Sequence, residues 1–287
     1  MSTHPKIYGV IGNPISHSRS PLIHQTFAQQ TGIPLTYSAI LAPLDSFAAT
    51  VDRFRAEGGL GLNVTVPFKH EAFAYCIDRS ERALQAGAVN TLIFSQDPQA
   101  PARGDNTDGV GLMRDLAYHG IELTGKRILL LGAGGAARGV LGPLTAAHPA
   151  NILVANRNGE TAKQLILDFG AGPKPQDIVT LCACALADFP RDEVAFDLII
   201  NATSASLSGE CPSLPDTVLQ GHTIAYDMAY GTAPTVFMDW ASARGARALD
   251  GLGMLVEQAA ESFYLWQGVY PQTELVRARL RAELHSS

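Results

Sequence analysis

Apolar and polar positions along this chain follow two rhythms, one of strand length and one of helix length. Ile7-Tyr8-Gly9-Val10-Ile11-Gly12 is a short apolar run closed by glycine, and Leu35 to Leu41, Leu60 to Val66 and Ala88 to Phe94 repeat the form. Between them, Ser20-Pro21 starts a helical stretch with a preferred cap residue followed by proline in the first turn, and Asp45 to Ala56 reads as a second helix. These elements predict a small α/β domain. Loop-forming Gln96-Asp97-Pro98-Gln99-Ala100-Pro101 follows, and Gly109 to Gly120 then reads as a connecting helix. Beyond it, strand and helix signals take turns at Lys126 to Leu131, Ile152 to Ala155, Thr161 to Phe169, Asp197 to Ala202 and Thr223 to Asp227. That alternation predicts an α/β chain whose second part is a doubly wound parallel sheet of Rossmann type. Met254 to Trp266 predicts a long apolar-faced helix and Glu274 to His285 a charged one. The second sheet is complete by about Asp250, so these C-terminal helices are expected to return to the first domain. The expected division is 1–108, 109–250 and 251–287.

The most informative stretch is the join after the strand Lys126-Arg127-Ile128-Leu129-Leu130-Leu131. It runs straight into Gly132-Ala133-Gly134-Gly135-Ala136 and then into a helix-forming segment at Ala137-Arg138. Gly132 allows a tight turn, Gly134 lets the backbone approach a pyrophosphate, and Ala137 stands where close packing of helix on sheet needs a small residue. The free N–H groups at the helix start then face the phosphates. The next strand ends at Asn156-Arg157, where an NAD site carries an acidic residue for the ribose 2′-hydroxyl. A carboxylate would repel a 2′-phosphate, whereas a guanidinium pairs with one, so NADP is the expected cofactor.

Composition narrows the setting. With 287 residues, 46% of them hydrophobic, and a formal net charge of −6, the chain has material for two buried cores. The acidity is spread out and no basic stripe is present, which argues against a nucleic-acid partner. No apolar run reaches bilayer length, and Met1-Ser2-Thr3-His4-Pro5-Lys6 leads directly into a strand, so a cytoplasmic protein with no membrane association is expected. Cys76, Cys182, Cys184 and Cys211 lack zinc or redox spacing; Cys182 and Cys184 share one strand face and are expected as small buried thiols. The 8 histidines are scattered without ligand pairs, and no metal centre is expected.

In the first domain, polar residues gather at element ends. Gly12-Asn13-Pro14-Ile15-Ser16-His17-Ser18-Arg19-Ser20-Pro21 places the hydroxyls of Ser16 and Ser18 on a loop at a strand's carboxyl end, where open α/β sheets bind ligands; such serines also serve as turn formers. Asn63-Val64-Thr65-Val66-Pro67-Phe68-Lys69 puts Asn63 and Thr65 on one strand face. It sets Lys69 beside a rigid turn rather than on a solvated helix face, suited to donate a proton or clamp a charge. Gly87-Ala88-Val89-Asn90-Thr91 and Gly104-Asp105-Asn106-Thr107-Asp108-Gly109 end elements in the same way, with an Asx turn or a helix cap at Thr107 or Asp108 as the plain alternative.

Taken in order, these segments, with Tyr226-Asp227-Met228 and Asp250-Gly251-Leu252-Gly253-Met254, resemble the shikimate dehydrogenases over nearly the whole chain. The resemblance implies reduction of the ketone of 3-dehydroshikimate by NADPH, giving shikimate on the route to aromatic amino acids. It implies that Ser16 and Ser18 grip the substrate carboxylate, that Asn63, Thr65, Asn90 and Gln258 join Lys69 and Asp108 around the ring, and that Tyr230 faces the substrate. For the cofactor it implies Gly132, Ala133, Gly134, Gly135 and Ala136 at the pyrophosphate, and Asn156, Arg157 and Asn158 at the adenosine end. Met228 and Gly251 would flank the nicotinamide, with Glu81 a further cofactor-proximal position. The family's second basic residue at the 2′-phosphate falls at Thr161, which leaves Arg157 with less help and the exclusion of NAD less secure than the binding of NADP.

Lys69 and Asp108 are the implied catalytic pair. Hydride arriving at a carbonyl leaves negative charge on oxygen, which an ammonium stabilises and protonates, while a neighbouring carboxylate keeps that ammonium charged. The paired serines favour the shikimate branch over quinate/shikimate dehydrogenases that use NAD or both cofactors. A catalytically silent NADP-sensing protein, the reading from another class, would need no such lysine–aspartate pair. The expected partner is a small-molecule substrate, and the expected assembly a monomer or homodimer.

Overall fold

The computed structural model describes residues 5–97, 100–171, 179–190 and 195–285. Met1 to His4, and Pro98 and Gln99 of the expected loop, lie outside the described residues. The first part runs β1 (Lys6–Gly12), α1 (Ser20–Thr31), β2 (Leu35–Leu41), α2 (Phe47–Ala56), β3 (Gly59–Val64), α3 (Lys69–Tyr75), β4 (Asp78–Arg79), α4 (Glu81–Ala86), β5 (Thr91–Ile93) and β6 (Arg103–Asp105). Helix α5 (Asp108–Tyr118) leads to β7 (Arg127–Leu131), α6 (Gly135–Ala146), β8 (Asn151–Asn156), α7 (Gly159–Ala171), β9 (Thr180–Ala185), β10 (Leu198–Asn201), β11 (Ile224–Asp227), α8 (Val236–Ser242) and β12 (Arg247–Leu249). Helices α9 (Leu252–Gln267) and α10 (Glu274–His285) follow.

Two six-stranded sheets result. The second, in the order β12-β11-β10-β7-β8-β9, is parallel throughout. Its central strand shows why the sequence reads as a continuous apolar run: Ile128 and Leu130 enter one core with Val140 and Val154, while Leu129 and Leu131 enter another with Ile199 and Phe237. A parallel sheet covered by helices needs apolar side chains on both faces.

The first sheet, in the order β2-β1-β3-β5-β6-β4, is mixed. Strand β1 runs parallel to β2 and β3, but β5 is antiparallel to both β3 and β6. The strand expected over Ala88 to Phe94 is therefore shorter and of opposite direction to its neighbours. An apolar pattern reports which residues are buried and carries no sign for strand direction.

Local details also differ from expectation. Helix α1 does begin at Ser20 with Pro21 in its first turn, but Arg19 holds the cap position and no side chain caps it; the Ser20 N–H donates to Ser18 Oγ at 3.3 Å. Cys182 is exposed and Cys184 only half-buried, because β9 is the edge strand of its sheet.

The C-terminal helices pack on the first domain. Leu252, Val256 and Phe263 of α9 share a core with Ile23 and Phe27 of α1 and with Val276 and Leu280 of α10. Trp266 stacks on Tyr8 of β1 at 4.8 Å between ring centroids and donates its Nε1–H to Leu92 O at 3.0 Å. Helix α5 packs along both α6 and α9. Its buried Asp115 accepts from Tyr226 OH at 2.6 Å and from Arg277 of α10, which also reaches Glu257 of α9 at 2.9 Å. One charged node thus joins α5, β11, α9 and α10.

His24 lies among aromatic rings, stacked on Tyr37 at 4.3 Å with the planes 5° apart, and Phe27, Phe263 and Trp266 surround the pair. Burial lowers its pKa from 6.5 to about 3, against the smaller opposing effect of the Asn63 side chain. The unfolded chain therefore binds the extra proton between these two values, so stability rises with pH across that window and is lost as pH falls. Below pH 6.5 this one group should cost about 1.4 kcal/mol per pH unit until about pH 3. Urea unfolding between about pH 7 and about pH 4 should show the steeper decline in the wild type and a shallower one in His24→Phe. Parallel curves would show that His24 does not titrate against the fold.

Candidate active site

A cleft of about 1900 Å³ opens at the carboxyl ends of strands from both sheets. The loops after β1, β3, β7, β8, β10 and β11 line it, and Gly251, Met254 and Gln258 close one side. Single small-ligand pockets hold roughly 300–1,000 Å³, so this space suits two ligands side by side.

On the first-domain wall, Lys69 and Asp108 meet. Lys69 is the first residue of α3, not a residue of a free turn: the helix starts directly after Pro67-Phe68. The Lys69 carbonyl accepts from Val89 N–H at 2.9 Å, which ties the lysine to the Gly87–Thr91 segment. Its Nζ lies 2.5 Å from Asp108 Oδ2, with side-chain exposures of 17% and 9%. An ammonium has three donors, so two stay available to a ligand in the cleft.

Asp108 opens helix α5, where the helix dipole favours a carboxylate. Its Oδ1 accepts from Asn90 Nδ2 at 2.8 Å. The orientation of that amide is set by Thr107 N–H, an unambiguous donor to Asn90 Oδ1 at 2.9 Å. Gln258 of α9 completes the wall, its Oε1 lying 3.3 Å from Thr107 Oγ1 and 3.5 Å from Asn90 Nδ2. Asn63 is buried behind, accepting from Tyr37 OH at 2.7 Å and donating to Ser262 Oγ at 2.9 Å. Thr65 and Ser18 line the cleft half-buried, while Ser16 is exposed on the same loop and outside the lining.

On the opposite wall, Gly132 takes φ +101, a left-handed conformation that L side chains rarely adopt, and turns the chain at the point where the strand order reverses between β7 and β10. Gly134 caps α6, and the space where its Cβ would stand is clear to 4 Å, so a bulky anion can approach the first N–H groups of the helix. Asn156 and Arg157 line the cleft at the end of β8, and among the described residues no side-chain partner holds the exposed Arg157 guanidinium. A phosphate cradle at one end of the wall and an uncommitted guanidinium at the other fit the pyrophosphate and 2′-phosphate of NADP.

Asn158 caps α7, accepting from Glu160 N–H at 3.0 Å, and Thr161 is exposed on that helix; neither lines the cleft. Glu81 is exposed on α4, also outside the lining. Met228 and Gly251 do meet, since a Cβ on Gly251 would stand 2.2 Å from Met228 O, an approach only glycine permits. Tyr230 lines the cleft; burial raises its phenol pKa, while Arg19 pulls it down.

Sequence reasoning did not anticipate the role of Asp227. This fully buried carboxylate accepts from Ser206 Oγ and Thr235 Oγ1, each at 2.6 Å, from Ala229 N–H at 3.0 Å and from Asn201 Nδ2 at 3.2 Å. It thereby binds together the two loops, after β10 and β11, that line the nucleotide side. The available signal was a polar residue, Asn201 or Asp227, closing each of two apolar strands. Arg19 and Thr203 also line the cleft and were not singled out.

Known families and solved structures match the chain over most of its length. A profile described as shikimate dehydrogenase substrate binding domain matches residues 10–92, one described as shikimate / quinate 5-dehydrogenase matches 115–208, and one described as shikimate 5'-dehydrogenase C-terminal domain matches 251–281. A curated relative from Hahella chejuensis, named shikimate dehydrogenase (NADP(+)), is 54% identical over 279 residues, covering 96% of this chain and 98% of its own. Among solved structures, an Ael1 enzyme from Pseudomonas putida is similar at TM-score 0.86 and 44% identity, covering 96% of this chain and 98% of that one. A shikimate 5-dehydrogenase from Thermus thermophilus, solved in complex with NADP(H) and shikimate, is similar at TM-score 0.83 and 30% identity, covering 96% and 99%.

The Asp227 node generates a prediction of its own. Asp227→Ala leaves two hydroxyls and a backbone N–H without their acceptor, so it should destabilise the protein by about 2–3 kcal/mol. Urea unfolding measures the loss, and limited proteolysis should cut faster within 202–208 and 228–235. Unchanged stability together with an unchanged cleavage pattern would refute the bracing role.

Proposed function

This chain belongs to the shikimate dehydrogenase family, and we propose that its cleft interconverts 3-dehydroshikimate and shikimate with Lys69 handling the proton. It is an NADP-dependent oxidoreductase acting on a CH–OH group. The observation that carries the mechanistic reading is the placement of the lysine–aspartate pair against the glycine loop: Lys69 Cδ lies 3.8 Å from where a Cβ on Gly135 would stand. A proton donor and a dinucleotide cradle therefore share one small volume.

When bound, NADPH supplies the hydride that reduces the substrate's carbonyl carbon. The Lys69 ammonium stabilises the charge developing on the carbonyl oxygen and gives that oxygen its proton; in the oxidative direction the neutral amine takes it back. Asp108 holds the ammonium in place through Oδ2 while Asn90 holds Asp108 through Oδ1. Ser18 takes the substrate carboxylate, Asn63, Thr65, Asn90 and Gln258 surround the ring, and Tyr230 faces it. Gly132 to Ala136 take the pyrophosphate, with Asn156 and Arg157 toward the adenosine end and Met228 and Gly251 beside the nicotinamide.

Residues 1–108 and the helices of 251–287 form the substrate side of this scheme and 109–250 the cofactor side. Among the described residues no helix is long and apolar enough to cross a membrane. We place the activity in the cytoplasm, in a monomer or homodimer acting on a small molecule with no nucleic-acid partner.

Lys69→Met keeps much of the stem but removes charge and proton. It should retain NADP binding and lose turnover by about a hundredfold or more. Steady-state assays with shikimate and with quinate, beside an NADP titration, measure both; near-normal turnover would end the assignment. Arg157→Ala should raise the Michaelis constant for NADP about tenfold while changing that for NAD little, since one charge-assisted contact to the 2′-phosphate is lost. Equal changes for the two cofactors would show that Arg157 does not read the 2′-phosphate.

A further inference from the structure

Behind the lysine–aspartate pair lies a tier of hydroxyls that no step above uses. Thr91 of β5 and Ser262 of α9 are fully buried, and their Oγ atoms are 2.8 Å apart. Thr91 Oγ1 donates to Asn90 Oδ1 at 2.8 Å. Ser262 Oγ accepts from Asn63 Nδ2 at 2.9 Å and lies 3.2 Å from Thr107 Oγ1.

Proton counting gives these contacts a direction. Each hydroxyl has one proton. With that of Thr91 committed to Asn90, the Ser262 proton is divided between Thr91 Oγ1 and the Gln258 backbone carbonyl 3.1 Å away, and the Asn63 amide serves both Ser262 and, at 3.3 Å, Thr91 itself. Tyr37 OH, donating to Asn63 Oδ1 at 2.7 Å, fixes which way the Asn63 amide faces. A chain of donors thus runs from Tyr37 through Asn63 to Thr91, both directly and by way of Ser262, and on to Asn90, and aligned bonds of this kind strengthen one another.

The end of that chain matters because an amide has two unlike faces. Turned by half a rotation, Asn90 would present its oxygen to Asp108, oxygen against oxygen. Three donors hold the productive face: Thr107 N–H at 2.9 Å, Thr91 Oγ1–H at 2.8 Å and, more weakly, Thr107 Oγ1–H at 3.2 Å engage Oδ1, which leaves Nδ2 directed at Asp108 Oδ1. We infer that Thr91, seated on Ser262 of the returning C-terminal helix, is a positioning residue: it sets the Asn90 amide so that Asp108 stays turned toward Lys69. This rests on the reading of Lys69 and Asp108 given above. It also gives α9 a part in the chemistry beyond covering the first sheet, since Ser262 touches both Asn63 and Thr91 and braces them against each other.

The test uses the full-length enzyme in steady-state shikimate oxidation. Thr91→Val, which keeps the shape and removes the donor, should lower kcat about tenfold while leaving the KM for NADP unchanged. Thr91→Ser keeps the hydroxyl and should recover kcat to within about twofold of wild type. On an Asn90→Ala background Thr91→Val should have no further effect on kcat, because the amide through which it acts is gone. Thr91→Ala removes the same donor and carries the same comparison should Thr91→Val fail to fold. A wild-type kcat in Thr91→Val, or a loss of equal size with and without Asn90, overturns the inference while Lys69→Met stays inactive. A fully active Lys69→Met would instead remove the reading on which it rests.

Discussion

A carboxylate taken out of water has to be paired or neutralised, and the Asp108 carboxylate at the start of α5 is the group around which the structure arranges itself. Three things meet that demand: the positive end of the helix dipole, the Lys69 ammonium and the Asn90 amide. Each comes from a different segment, so satisfying one charge fixes the positions of α3, of the segment leading into β5 and of the connecting helix relative to one another. The ammonium held in this way is also the group with donors to spare at the mouth of the cleft. Structural necessity and chemical use coincide at one ion pair.

Helix α5 carries a second such demand. Asp115 lies seven residues beyond Asp108, close to two helical turns, so both carboxylates fall on nearly the same face of the helix. Gly111, between them, lies so close to α9 that a Cβ would meet Met254 O at 2.7 Å. Asp115 is satisfied by Tyr226 from the second sheet and by Arg277 from α10. One helix therefore keys the first sheet, the second sheet and the C-terminal helices through two buried charges. The returning helices then do more than cover apolar surface: Gln258 and Ser262 reach the residues that hold Asp108.

The nucleotide side solves a different problem with similar means. A parallel sheet leaves its strand ends open where the order reverses, and the loops there have no regular partner. Asp227, buried with no cation among its partners in the described residues, gathers donors from both loops after β10 and β11 and fixes their shape. Beside the loop after β10, Gly132 and Gly134 keep the first turn of α6 accessible. Rigid walls made from loops are what a site for an extended anionic cofactor needs, because the binding groups are then in place before the ligand arrives.

The sequence by itself determined the alternation of strands and helices, the glycine turn into α6, the absence of a carboxylate at the end of β8, and the return of two helices beyond Asp250. Each is written in local chemistry: apolar spacing, missing Cβ atoms, a charge of one sign at a strand end. The glycine loop was legible for this reason, and so was Lys69 next to Pro67, although the helix that begins at that lysine was too short for a pattern to reveal. Only the tertiary structure decided the rest. Strand direction in the first sheet is invisible to an apolar pattern, and the exposure of Cys182 depends on β9 being an edge. The partnership of Asp115 with Arg277, of Asp227 with Thr235, and of Thr91 with Ser262 joins residues far apart in the chain. The physical reason is the same in each case: a local sequence states what a residue can donate, accept or bury, but a buried polar group finds its partner through the packing of the whole chain.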